Sequence, residues 1–177
     1  DVWENQWPVV AIDWYGASAW CQWWSERTGK QWRLPGNLEW EKAARGVDGR
    51  FYPWGDGFDP SYCHMDLSHS GRRVLAPVGS YIFDESPYGV RGMAGNSRDW
   101  CLERRKQKSS FREGMEFVQA NERRFLRGGY WYGGDRNSRC AGLYTYMPTY
   151  REVMIGFRAA RPMGPEEGAG AHGGTSR

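Results

Sequence analysis

Large rings, more than Leu and Ile, must hold this chain together. It carries 11 Trp, 10 Tyr and 7 Phe beside 24 Gly in 177 residues. A buried aromatic side chain removes ~150–250 Å² from water, so a few can stabilise an irregular, loop-rich fold. The length suits one domain, and such a chain buries roughly 70% of its unfolded surface without a disulfide or metal. Lys and Arg total 24 against 21 Asp and Glu, a formal charge of +3. That small excess gives no footprint for nucleic acid. No apolar run approaches the ~20 residues of a membrane span. The opening Asp1-Val2-Trp3 is neither basic nor apolar enough for a signal peptide. With no initiator Met, a fragment or processed product is expected. Cys21, Cys63, Cys101 and Cys140 form no C-x-x-C pair, which excludes zinc-ribbon and thioredoxin-type sites. Free buried thiols and a disulfide both stay open.

Asp13 stands as an N-cap for a helix reaching Thr28, with Gly29 as its stop. Trp14, Ala17, Cys21 and Trp24 recur along one face of it. A second helix follows Leu34-Pro35, with Gly36 at the cap, Glu39 in a weakened capping box and Gly46 as its end. Trp40, Ala43 and Ala44 form its buried stripe. From 47 to 161 turn residues recur every few positions and no helix is expected. Strand candidates lie at 78–83, 125–131 and 155–160. The fold class is therefore α+β, two helices on small irregular antiparallel sheets. Residues 1–161 form the domain, and the Gly-rich 162–177 reads as a disordered tail. The polar stretch 103–124 reads as a solvated loop or a partner-docking loop.

Several ordered segments carry a family likeness. They are Pro8-Val9-Val10-Ala11-Ile12-Asp13-Trp14, Arg33-Leu34-Pro35 with Leu38-Glu39-Trp40-Glu41-Lys42-Ala43-Ala44-Arg45-Gly46, and Tyr52-Pro53-Trp54-Gly55-Asp56. Gly95-Asn96-Ser97-Arg98-Asp99-Trp100, Leu126-Arg127-Gly128-Gly129-Tyr130-Trp131 and Ile155-Gly156-Phe157-Arg158 complete them. Over about residues 8–161 the chain resembles the formylglycine-generating-enzyme (sulfatase-modifying factor) family, and the resemblance implies a variant of the C-type lectin fold. In the family's oxidases two cysteines five positions apart hold copper(I), which prefers soft thiolates. Here Cys140 falls at the second position and Asp135 at the first, so a non-catalytic member is expected and copper is not. Were the chain an oxidase, Cys140 would be its catalytic thiol. The family's calcium turn corresponds to Gly95–Asp99, making Asn96, Ser97 and Asp99 candidate calcium ligands. The competing role for Asn96 and Asp99 is to cap a tight turn, with Asp99 pairing an arginine. His64 and His69 are a candidate metal pair without an evident third ligand.

The stretch from 130 to 154 is crowded with Tyr, Gly, Ser and Thr. Tyrosine offers large amphipathic contact at low entropy cost, which suits a recognition surface. The resemblance extends here to the retroelement-diversified variable proteins, with Tyr130 in place of the usual Ser; in the family's calcium turn, Arg98 replaces an aromatic. Tyr130, Tyr132, Asp135, Arg136, Tyr144, Tyr146 and Tyr150 are the candidate ligand contacts. The competing role for the tyrosines is to cover the core. The function expected is a non-catalytic module binding a protein or glycan ligand. A sulfatase-activating copper oxidase and a structural subunit of a larger complex are the alternatives. The family segment that usually precedes Pro8 is not in the sequence. The strand near 156–160 is therefore expected to be an open edge, to be covered by a partner chain or an assembly.

Overall fold

The computed structural model describes residues 6–69, 74–104 and 123–164. Two helices come first, α1 (Trp14–Thr28) and α2 (Asn37–Arg45). Four strands follow: β1 (Arg98–Arg104), β2 (Arg124–Arg127), β3 (Leu143–Tyr146) and β4 (Ile155–Gly156). Short 3₁₀ turns occupy Pro60–Tyr62, Asp66–Ser68 and Asp135–Ser138.

Both helices start and stop where local chemistry dictates. The Asp13 carboxylate accepts the Gly16 N–H at 2.7 Å, and Gly29 closes α1 at φ 67°, a left-handed conformation glycine adopts freely. Only Ala17 and Cys21 of α1 are buried, so the helix lies on the surface. Its Trp14 indole N–H anchors it by donating to the Cys101 carbonyl at 2.9 Å. At α2, Gly36 has no side chain to complete a capping box. Glu39 accepts the Gly36 N–H at 2.7 Å, and Glu103, from β1, accepts the Asn37 N–H at 2.6 Å. A carboxylate from a distant strand thus supplies the negative charge that a helix N-terminus favours.

The strands form one mixed sheet in the order β3-β2-β1-β4. β1–β2 and β2–β3 are antiparallel, while β4 runs parallel to β1. This corrects the expectation of small antiparallel sheets: β4 arrives at the β1 edge by a crossover, which permits parallel pairing. The 78–83 strand candidate is also corrected. That segment is a succession of turns, with Gly79 at φ 85° and with Ile82 and Phe83 exposed. Of 125–131, Gly128 at φ 84° ends the strand at Arg127. Of 155–160, only Ile155–Gly156 is strand.

The expected open edge at β4 is corrected as well, because the chain covers it itself. Val10 bridges Gly156, and the Ala11 N–H donates to the Ile155 carbonyl at 3.0 Å. Arg33 and Ala160 exchange both backbone hydrogen bonds, at 2.9 and 2.8 Å. Gly156 is required there, since a Cβ would stand 2.5 Å from the Val9 carbonyl oxygen.

The main core packs Ala17, Cys21, Leu34, Trp100, Leu126 and Ile155 between α1 and the sheet. A second cluster joins Trp40 and Ala44 of α2 to Met93, Cys101 and Cys140. Burial of this kind stabilises at ~25 cal/mol per Å² of apolar surface. All four cysteines are buried free thiols, which decides the disulfide question left open by their spacing. Most of 103–124 and of the 162–177 tail lies outside the described residues. Among the described residues no helix is long and apolar enough to cross a membrane.

Candidate recognition face

Gly128 and Gly129 carry the chain out of β2 and over the end of the sheet. The Trp131 N–H then donates to the Asn96 carbonyl at 3.1 Å, and the Gly133 N–H to the Tyr130 carbonyl at 2.8 Å. The 3₁₀ turn Asp135–Ser138 follows, and β3 returns the chain to the sheet. Tyr144 and Tyr146 therefore stand on a strand, not on a loop.

Tyr130, Tyr132, Tyr144, Tyr146 and Tyr150 are all partly buried and pack against the main core. Tyr130 meets Tyr132 edge-on at 4.4 Å, and Tyr146 stacks on Tyr150 at 4.7 Å. Their hydroxyls are oriented: Tyr132 towards Met154 Sδ at 3.0 Å, Tyr144 to Asn137 Oδ1 at 2.8 Å, Tyr150 to Glu152 at 3.2 Å. The core-covering role weighed from sequence therefore holds, and each ring also keeps part of its surface in solvent. Asp135 and Arg136 stand on the 3₁₀ turn that carries Asn137. Arg136 is exposed, and Asp135 lies 4.0 Å from Arg139.

Sequence reasoning missed the residue at the centre. Arg98 opens β1 and is 3% exposed. Its guanidinium carbon lies 3.5 Å from the Tyr144 ring centre and 4.5 Å from that of Tyr130, two cation–π contacts. Its Nη2 donates to Asn137 Oδ1 at 2.8 Å. The available signal was the paired departure from family pattern, an arginine for an aromatic at 98 and a tyrosine for a serine at 130.

The Gly95–Asp99 turn is occupied by protein partners. Asn96, at φ 69°, accepts the Ala76 N–H at 3.0 Å and donates to the Ala76 carbonyl at 2.9 Å. Asp99 Oδ2 accepts from Trp40 Nε1 at 2.8 Å and Arg158 Nε at 2.6 Å. Calcium wants six to eight oxygens. As these side chains stand, Asn96, Ser97 and Asp99 do not offer that set. Among the described residues no three His, Cys, Asp or Glu side chains gather as metal ligands. The thiol position is closed to solvent. Cys140 is 1% exposed among Trp40, Met93 and Cys101, and burial pushes its thiol up to about 12. Asp135 is a half-exposed carboxylate on the turn before it.

His64 and His69 do come together, with ring centres 4.8 Å apart. Both nitrogens of His64 are taken, Nδ1 by the Tyr81 hydroxyl at 3.0 Å and Nε2 by the Val74 carbonyl at 2.7 Å. A carbonyl only accepts, so Nε2 carries the proton and Nδ1 accepts from Tyr81. This histidine loop supports the face: the Asp66 N–H donates to the Gly133 carbonyl at 3.1 Å, and the Asn96 N–H to the His64 carbonyl at 2.8 Å. Burial holds the His64 pKa below its ordinary 6.5. The unfolded chain therefore takes up the proton first as pH falls. The neutral ring's contribution is full above ~6.5 and is lost as pH drops below it, by at most ~1.4 kcal/mol per pH unit. Asp84 has the opposite sign, because burial raises its carboxyl to about 6 and the contribution is lost as pH rises through that value. Urea unfolding at pH 7.5 and 5.5 is expected to give a larger acid loss for the wild type than for His64→Gln. Equal losses would refute the assignment to His64.

Comparison with known proteins agrees with this architecture. Residues 3–163 match the family model described as the sulfatase-modifying factor enzyme 1-like domain. The formylglycine-generating enzyme of Streptomyces coelicolor is 37% identical over 106 residues, covering 53% of this chain and 31% of that protein. The bovine protein named inactive C-alpha-formylglycine-generating enzyme 2 is 31% identical over 179 residues, covering 92% and 53% respectively. Among solved structures, Treponema denticola variable protein 1 superposes with a TM-score of 0.73 at 22% identity, over 92% of this chain and 74% of that one. That likeness concerns the fold alone. The chain spans between 24% and 53% of the length of the curated relatives it matches.

Proposed function

The chain belongs to the sulfatase-modifying factor enzyme 1-like family, and from that premise we propose that it is a non-catalytic binding module whose ligand, a protein or a glycan, docks on the tyrosine face. The observation that carries this is the gathering of Tyr130, Tyr132, Tyr144, Tyr146 and Tyr150 on one core-backed unit. Such rings lose little freedom on binding, because packing already holds them. The thiol position supports the same conclusion, since Cys140 lies in the core and has no second thiol beside it in sequence. The bovine relative's name, which calls that protein inactive, lends further support.

The test has two arms. Ligand is captured from the source organism on the immobilised full chain, and its affinity is measured for Tyr144→Ala and Tyr146→Ala. Each substitution is expected to weaken binding by tenfold or more, as at interface hot spots, while near-ultraviolet circular dichroism stays folded. Unchanged affinity rejects the face. In the second arm the chain is loaded with copper(I) and given a cysteine-containing peptide. A mass shift to the aldehyde, with turnover, rejects the non-catalytic assignment.

A further inference from the structure

The buried arginines of this protein are not treated alike. Arg127, 3% exposed at its side chain, pairs with Glu41 at 2.7 Å. Arg158, half-buried, pairs with Asp99 at 2.6 Å. Arg98 is as buried as Arg127, yet among the described residues no carboxylate pairs with it. Among the described residues its guanidinium makes one hydrogen bond, from Nη2 to the neutral amide oxygen of Asn137, and its Nε is buried without a partner. Each such group in a native fold calls for an explanation, because an uncompensated buried cation is costly. The Tyr130 and Tyr144 rings offset part of that cost. They leave the in-plane edge unmatched.

That edge has a defined geometry. Nε and Nη2 lie side by side and present parallel N–H donors. Arg151 uses the same edge on Asp13, with Nε at 3.0 Å and Nη2 at 2.6 Å from Oδ2. In Arg98 the edge is half filled, and by an uncharged oxygen. A planar carboxylate is the group that matches it. The surrounding charges lean the same way. Arg151 is paired with Asp13 and Arg139 lies 4.0 Å from Asp135, while Arg136 on the same turn is exposed.

We infer that the Nε/Nη2 edge of Arg98 is the charge-reading element of the tyrosine face, and that the face takes a peptide bearing a carboxylate. This rests on the recognition role proposed above and names its ligand class. The carboxylate enters beside Asn137, or in its place, and the Tyr130 and Tyr144 rings flank it. Asn137 sits on the short 3₁₀ turn, so its amide is the exchangeable partner.

Three labelled peptides test this on the full chain by fluorescence anisotropy. They are terminally blocked hexaglutamate, terminally blocked hexaglutamine, and hexaglutamine with a free C-terminal carboxylate. At least one carboxylate-bearing peptide is expected to bind tenfold or more tightly than the blocked hexaglutamine. The arm that binds distinguishes a side-chain acid from a chain terminus. Arg98→Gln is expected to reduce the preference to within twofold, and Arg98→Lys, which keeps the charge but not the fork, to remove most of it. Because loss of Arg98 can also loosen the fold, Asn137→Asp supplies the opposite perturbation. An internal carboxylate on Arg98 is expected to raise the melting temperature and abolish binding of the acidic peptide. Equal affinity for the glutamate and glutamine peptides, or a preference that survives both Arg98→Gln and Asn137→Asp, overturns the inference while leaving a neutral recognition face intact. Binding of no peptide overturns it too, as does binding of oligogalacturonate alone; the tyrosine variants then judge the face separately.

Discussion

Alanine at position 129 is expected to destabilise the protein by ~3–5 kcal/mol, in the upper range for single substitutions. Gly129 lies where the chain leaves β2 for the tyrosine face. A Cβ there would overlap the Ala94 carbonyl oxygen, and would stand 3.1 Å from the Ala94 carbonyl carbon and 3.2 Å from the Asn137 carbonyl oxygen. All three neighbours are backbone, so no flexible side chain can yield. Ala94 is also held from behind, because its N–H donates to the buried Asp84 carboxylate, which receives the Met93 N–H as well. With whole-domain stability of ~5–15 kcal/mol, the change consumes a large share of the total. The melting temperature should fall by roughly 10 °C or more. Gly134→Ala is the control, since nothing lies within 4 Å of its Cβ position and its φ is −87°. Melting temperatures for the two variants within ~3 °C of each other would contradict the close approach.

Removing the Asp99 carboxylate has the second large effect. Asp99 is 4% exposed, and one oxygen serves both the Trp40 indole N–H and the Arg158 guanidinium. Arg158 also donates to the Arg91 and Gly92 carbonyls, at 3.3 and 2.9 Å. Asp99→Ala leaves a half-buried cation without its counter-charge and an indole N–H without an acceptor. Breaking one side of a buried pair costs ~3–5 kcal/mol. Asp99→Asn keeps an acceptor oxygen and should cost distinctly less. Urea unfolding followed by tryptophan fluorescence reads both. Equal losses for the two variants would mean that the acceptor oxygen kept by Asn contributes nothing, which would contradict this expectation.

The helices were legible because their signals are local. Asp13 and Gly29 bracket α1, and Glu39 reaches its own turn at Gly36. β1 was not legible, because the residues that make it a strand look wrong for one. Arg98 and Asp99 are charged and buried, and their partners are brought in from elsewhere: Trp40 and Arg158 for Asp99, Tyr130 and Tyr144 for Arg98. Only tertiary structure reveals which groups face these two charges. The run at 78–83 failed for the opposite reason. Its apolar residues suggested a strand, yet Gly79 and the neighbouring turns outweigh that preference and leave Ile82 and Phe83 exposed. The tyrosines singled out from sequence do pack together against the main core. Their backing by the core and their central cation depend on how β3 registers against β2, and that register is not written in the 130–154 segment alone.

β4 is clasped on its outer side by residues from the beginning of the chain, through Val10 at Gly156 and Arg33 at Ala160. Trp100 donates its indole N–H to Ile12, and Arg151 grips Asp13, so early residues are tied to late ones repeatedly. Contacts of such wide separation slow folding. A nascent chain emerging from the ribosome can therefore make its helices early but cannot lock them in place until nearly all of the domain has been synthesised.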